Sequence, residues 1–184
     1  MKKINFKYLI GGALSSLILM SCNNVNTNIA PSVQVEFETA RNKFYNSYES
    51  APNEIKKSAI FIQSRLNTCE FEKKYGRSFK DWVGVIDDIL TDQGGDEITI
   101  FRIKSEAQGR TIYYEATSIK KDSTLYNKIA EFKEGDNVYF SFVFNEEAFS
   151  TNEKECFDES SLTELGSLDE PEFNVTYTNV KIVK

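Results

Sequence analysis

Histidine is absent from all 184 residues. That absence removes the commonest general base, the commonest zinc ligand and every Ser-His or Cys-His nucleophilic pair. Basic residues are outnumbered, 22 against 28 acids, for a formal charge of −6. An acidic chain lacks the electrostatic footprint of a phosphate-backbone binder, so nucleic acid is not an expected partner. Long hydrophobic runs are missing too. The longest, Tyr8 to Met20, has 13 residues, short of the roughly 20 that span a bilayer. Aromatic residues, by contrast, are plentiful. With 14 Phe and 9 Tyr the chain carries enough large apolar surface for a packed core, and disorder is not the default expectation.

Lys2, Lys3 and Lys7 precede that apolar run, and Leu19-Met20-Ser21-Cys22 follows it. A basic start, a short apolar middle and a small residue before a cysteine fit a removed signal better than a permanent anchor. The tetrapeptide resembles the lipobox of bacterial lipoproteins, with Met20 standing where Ala, Ser or Thr is commoner. The resemblance implies that residues 1–21 are removed, that Cys22 is diacylated and becomes the first mature residue, and that the membrane is a partner through this lipid. Residue 23 is Asn. It is not the Asp that likeness to enterobacterial lipoproteins would link to inner-membrane retention, so the expected address is the outer membrane, facing the periplasm. Loss of 1–21 leaves 163 residues with a charge of −9. Residues 22–31, rich in Asn and without periodicity, read as a tether. With Cys22 lipidated, Cys69 and Cys156 remain in an oxidising compartment, either paired as a disulfide or as two buried thiols.

Pro31 and Ser32 mark a helix start. Val33, Phe37, Ala40, Phe44 and Tyr48 recur at steps of three and four, the face of an amphipathic helix. Ser50-Ala51-Pro52 interrupts it, and Ile55, Ala59, Ile62, Leu66 and Cys69 resume the stripe. Residues 32–75 are thus a helical segment, as two helices or one kinked helix. From Phe79 the period changes to two. Strands are expected at 82–90, with Gly84 as a bulge or bend, at 97–103 after the Asp92-Gln93-Gly94-Gly95-Asp96 turn, and at 111–117 after Gln108-Gly109. Asp122-Ser123 caps a short helix carrying Leu125, Ile129 and Phe132. A strand over 137–144, an acidic loop over 145–171 and a last strand over 173–183 complete the chain.

Three strands, a short helix and two strands is an order similar to the OB fold, a five-stranded barrel. The expected class is α+β, an N-terminal helical segment followed by a small antiparallel barrel of five or six strands over 76–184. A six-stranded antiparallel sheet packed on the helices is the competing arrangement.

Chemistry-bearing constellations are few. Asp87, Asp88, Asp92, Asp96 and Glu97 crowd the first hairpin, as calcium ligands do around a glycine turn, but they miss the EF-hand spacing. Solvated acids are the plainer reading, and neither a metal nor another cofactor is expected. Ser160 and Ser161 lack an activating base; one of them is expected to cap a helical turn holding Thr163 and Glu164, and Ser161 with Glu164 matches the capping box. Val138, Phe140, Phe142 and Phe144 share one face of a strand, expected to be core, with Tyr139 on the other. Trp82, Tyr113 and Tyr139 are the candidate ligand-binding surface, since exposed aromatic faces bind sugars or peptides; barrel packing is the plainer alternative. Asn174-Val175-Thr176 matches a glycosylation sequon, which is set aside inside a strand. The expected function is a non-enzymatic, lipid-anchored envelope module that binds an envelope protein or glycan. One alternative is a carboxylate-only hydrolase using Asp87 or Asp88 with Glu159. Another is a structural or inhibitory module that inserts loop 145–171 into a partner.

Overall fold

The period changes to two from Phe79, and helix gives way to strand beside it, at Ser78. The computed structural model describes residues 30–107, 109–146, 156–161 and 163–183. The expected signal segment 1–21, and Cys22 with most of its tether, therefore lie outside the described residues. Helix α1 spans Ser32–Glu49 and α2 spans Glu54–Tyr75, so the proline break yields two helices. Pro31 caps α1, where its missing N–H costs nothing. The Asn53 side chain accepts from the Lys56 amide to start α2. No helix among the described residues is long and apolar enough to cross a membrane.

Strands β1 (Ser78–Thr91), β2 (Glu97–Ala107), β3 (Arg110–Ala116), β4 (Ile119–Lys120), β5 (Asn137–Phe144) and β6 (Glu172–Ile182) alternate with α3 (Thr124–Ile129) and α4 (Glu164–Asp169). The 14-residue β1 pairs with β5 along its first half and with β2 along its second, so the ring β1-β2-β3-β6-β5 closes into a barrel. Short β4 adds to β2 outside the ring. All neighbours are antiparallel except β3 and β6, which run parallel through Tyr113–Glu172 and Tyr114–Phe173. This corrects the purely antiparallel expectation, and the reason is parity. Five strands in a closed ring cannot all alternate in direction, so at least one neighbouring pair must be parallel.

Gly84 sits where β1 passes from one partner to the other, as Val85 pairs with both Asn137 and Lys104. A Cβ there would lie 2.6 Å from Ile103 Cγ2 and 2.7 Å from the Lys104 carbonyl oxygen. Because backbone blocks it, Gly84→Ala is expected to lower stability by about 1–3 kcal/mol. The urea midpoint, followed by emission of Trp82, is the check.

Trp82 is 1 % exposed, which removes it from the aromatic surface expected above. Plain alternation would put Phe79 and Trp82 on opposite faces. A register shift between them, with Asp81 at φ +54°, inserts an extra residue and turns both rings inward. Trp82 then packs edge-on against Phe142 at 5.1 Å and Tyr114 at 5.7 Å. Val138, Phe140, Phe142 and Phe144 are buried as their spacing predicts, and Phe37 of α1 joins the same cluster. Helices and barrel share one core.

The helical faces differ from expectation. Of the first stripe, Phe37 and Tyr48 are buried while Val33, Ala40 and Phe44 are partly so; beside them α1 buries Gln34, Glu38 and Arg41. In α2 the inward face is Ser64, Thr68, Cys69 and Phe71, and the stripe residues Ile55, Ala59, Ile62 and Leu66 face solvent. Hydroxyls turn inward because Arg41 Nη1 donates to Ser64 Oγ at 2.8 Å and Thr68 Oγ1 at 3.1 Å.

Candidate functional site

The outer face of β1, β2, β3 and β6 gathers charge around one guanidinium. Alternation on β2 sends Phe101, Ile103 and Ser105 inward and leaves Arg102 and Lys104 outside. Arg102 meets Asp87 at 2.8 Å, Glu115 at 3.6 Å, and Asp88 and Glu172 at 3.8 Å; Lys104 meets Asp87 at 3.1 Å. The guanidinium also lies over the Tyr113 ring, 5.0 Å from its centroid. Four carboxylates against two cations leave the patch acidic. Burial raises the pKa of Glu115, and neighbouring Glu172 raises it further against Arg102. Cations and carboxylates thus stand side by side on the outer β-surface, with the Tyr113 ring beneath the central guanidinium.

The expected aromatic strip does not assemble. Tyr113 pairs with Glu172 and Tyr139 with Lys181, nine residues along β6, or roughly 30 Å at strand rise. Tyr139 lies instead under the Lys181 ammonium, 5.6 Å away. Arg102, the centre of the patch, is an interior residue of a strand that alternates; counting outward positions on β2 was the signal that would have found it.

The acidic hairpin is tied up internally. Asp92 Oδ1 accepts from the Asp96 and Glu97 amides, Asp96 pairs with Lys121 and Glu97 with Lys120. Among the described residues no group of three or more His, Cys, Asp or Glu is arranged to hold a metal ion. The hydrolase pair is not brought together either. Glu159 bridges to Phe173, a core residue, and faces Arg41 at 3.9 Å. Asp87 and Asp88 stand on the outer side with Arg102, across the sheet. In loop 145–171, Ser160 N–H donates to the Glu172 carbonyl and Asn174 N–H to that of Asp158. Thr163, rather than a serine, caps α4, its Oγ1 accepting from Gly166 N–H. Glu164 accepts from Ser58 of α2. Residues 147–155 and 162 lie outside the described residues. Cys69 and Cys156 are joined by a disulfide with Cα atoms 5.0 Å apart.

Beneath α1 lies a second polar constellation that periodicity did not reveal. The Gln34 amide hydrogen-bonds both ways to the Val83 backbone, donating to its oxygen at 2.7 Å and accepting from its N–H at 2.8 Å. It also donates to Glu38 at 2.8 Å. Arg41 Nη2 donates to the Ser167 carbonyl at 2.8 Å. Arg41 Nε, Ser105 Oγ, Tyr114 Oη and Glu159 Oε1 are buried without a hydrogen-bond partner among the described residues. Burial raises the pKa of Glu38, against the polar groups of Ser105 and Gln34. A carboxyl with a raised pKa takes up its proton in the native state first, so stability rises as pH falls through that pKa. Glu38→Gln is therefore expected to stabilise the protein at neutral pH. The gain should vanish as pH falls to about 4, where the unfolded carboxyl is itself protonated; urea denaturation across pH tests this.

No protein-family model matches this chain, and no curated protein does.

Proposed function

We propose that this chain is a lipid-anchored cell-envelope protein whose barrel is of the OB type and binds an envelope glycan without catalysis. The patch around Arg102 carries the reading. Cations and carboxylates beside an aromatic ring suit the paired hydroxyls of a sugar, and strands two and three are the binding face of OB barrels. The ring order β1-β2-β3-β6-β5, with α3 between the third and fourth long strands, supports the OB assignment. A disulfide suits the oxidising side of a membrane. The lipobox supports anchoring at Cys22, and Asn23 supports an address in the outer membrane, facing the periplasm. The acidic patch disfavours nucleic acid.

Two assays test the proposal separately. Labelled palmitate should enter the wild-type chain and not Cys22→Ala; equal labelling removes the anchor. Arg102→Ala with Tyr113→Ala should abolish retention of envelope glycans, with Trp82 emission unchanged. Undiminished retention removes the patch, and crosslinking that recovers only an envelope protein replaces glycan by protein as the partner.

A further inference from the structure

The Arg41–Glu159 ion pair is too long for a hydrogen bond. Nη2 and Oε2 stand 3.9 Å apart, against the about 3.2 Å that bounds an N–H to oxygen bond. The other oxygen, Glu159 Oε1, is buried and has no hydrogen-bond partner among the described residues. The Ser161 and Ser167 hydroxyls act on the carboxyl, but neither completes a bond to Oε1. Native proteins rarely keep a buried polar atom in that condition. A polar contact stretched beyond about 3.5 Å is where a bridging water belongs.

Beside this carboxyl lies a cavity of about 10 Å³, lined by Arg65, Thr68, Cys156, Phe157 and Glu159. That is room for one water molecule and nothing larger. Charge agrees with size. Arg41 and Arg65 both act on Glu159, so a cation would meet two guanidiniums and an anion would meet the carboxylate. The lining also has bonds to give. Thr68 Oγ1 accepts from Arg41 Nη1 and donates to the Ser64 carbonyl, which leaves one lone pair on the hydroxyl.

We propose that this cavity is the site of one structural water, which ties Glu159 to Arg65 and Thr68 of α2. The water donates one hydrogen to Glu159 Oε1 and the other to Thr68 Oγ1, and it accepts from the Arg65 guanidinium. Three bonds are the usual complement of a buried water. The segment holding Cys156, Phe157 and Glu159 is already fastened to α2 by the Cys69–Cys156 bond. Arg65 and Thr68 belong to the turn that ends at Cys69, so the water is a second tie beside the covalent one.

Two measurements on the chain carrying Cys22→Ala test the site. A high-resolution crystal structure should place a water within about 3.2 Å of both Glu159 Oε1 and Thr68 Oγ1. A dry cavity, or Arg41 bonded directly to Glu159 at that distance, overturns the proposal. In solution, oxygen-17 relaxation dispersion counts long-lived internal waters. Glu159→Met, which keeps the length of the side chain and removes both acceptors, should lower that count by one while Trp82 emission stays unchanged. An equal count in a folded Glu159→Met also overturns it; if that variant does not fold, the crystal structure decides.

Discussion

Replacing Arg41 by alanine is expected to lower stability by about 3–5 kcal/mol, the cost of leaving a buried charge without its partner. Arg41 is 3 % exposed and donates to Ser64, Thr68 and Ser167 while facing Glu159 at 3.9 Å. Alanine would strand all of these at once. Burial already raises the pKa of Glu159, and Arg41 opposes it most, ahead of Ser167, Ser161 and Arg65. Without Arg41 that pKa rises further, so the deficit should be largest at neutral pH and shrink as acid protonates Glu159. Arg41→Lys keeps the charge but cannot present the planar fork that meets partners on two elements at once. It should fall between wild type and Arg41→Ala. Urea denaturation at neutral and acid pH checks both; a deficit that does not shrink in acid would place the loss in packing rather than in Glu159.

Breaking the Cys69–Cys156 disulfide is expected to cost about 4–5 kcal/mol by the chain-entropy account, since it closes a loop of 87 residues. Reduced wild type and the Cys69→Ala, Cys156→Ala variant should unfold at the same urea concentration, well below oxidised wild type, and reductant should leave the variant unmoved. Coincidence of oxidised wild type with the variant would mean that the thiols are not paired in solution. The bond also pins the segment holding Phe157, whose ring stacks on Phe144 at 3.9 Å, and Glu159, which faces Arg41. The two effects therefore share a segment, and their combination should fall short of the sum.

Element type was legible wherever one face of a segment meets a uniform environment. The Phe140–Phe144 run alternates because one side is core and the other solvent, and its strand lies at 137–144 as read. Ser123 caps α3 for the same local reason, its side chain accepting from Tyr126 N–H. Trp82 follows the plainer reading, barrel packing, rather than the surface one, and it does so through a bulge at Asp81 that nothing in Lys80-Asp81 announces. The α2 stripe was misread because apolar periodicity identifies a face without naming what covers it. The candidate site was legible only in part. Tyr113 belongs to it, but Arg102 acquires meaning only once Asp87, Asp88, Glu115 and Glu172 arrive from three other strands.

The sequence by itself determined the order and kind of the longer elements, the apolar strand faces and the absence of histidine chemistry, though not β4 or α4. These are local properties, set by side chains within a few positions of one another. The tertiary structure decided which way α2 turns, that β3 and β6 run parallel, and that one arginine gathers four carboxylates. Those depend on barrel closure and on a buried cation claiming the hydroxyls of a distant helix, and neither constraint is expressed within any single segment.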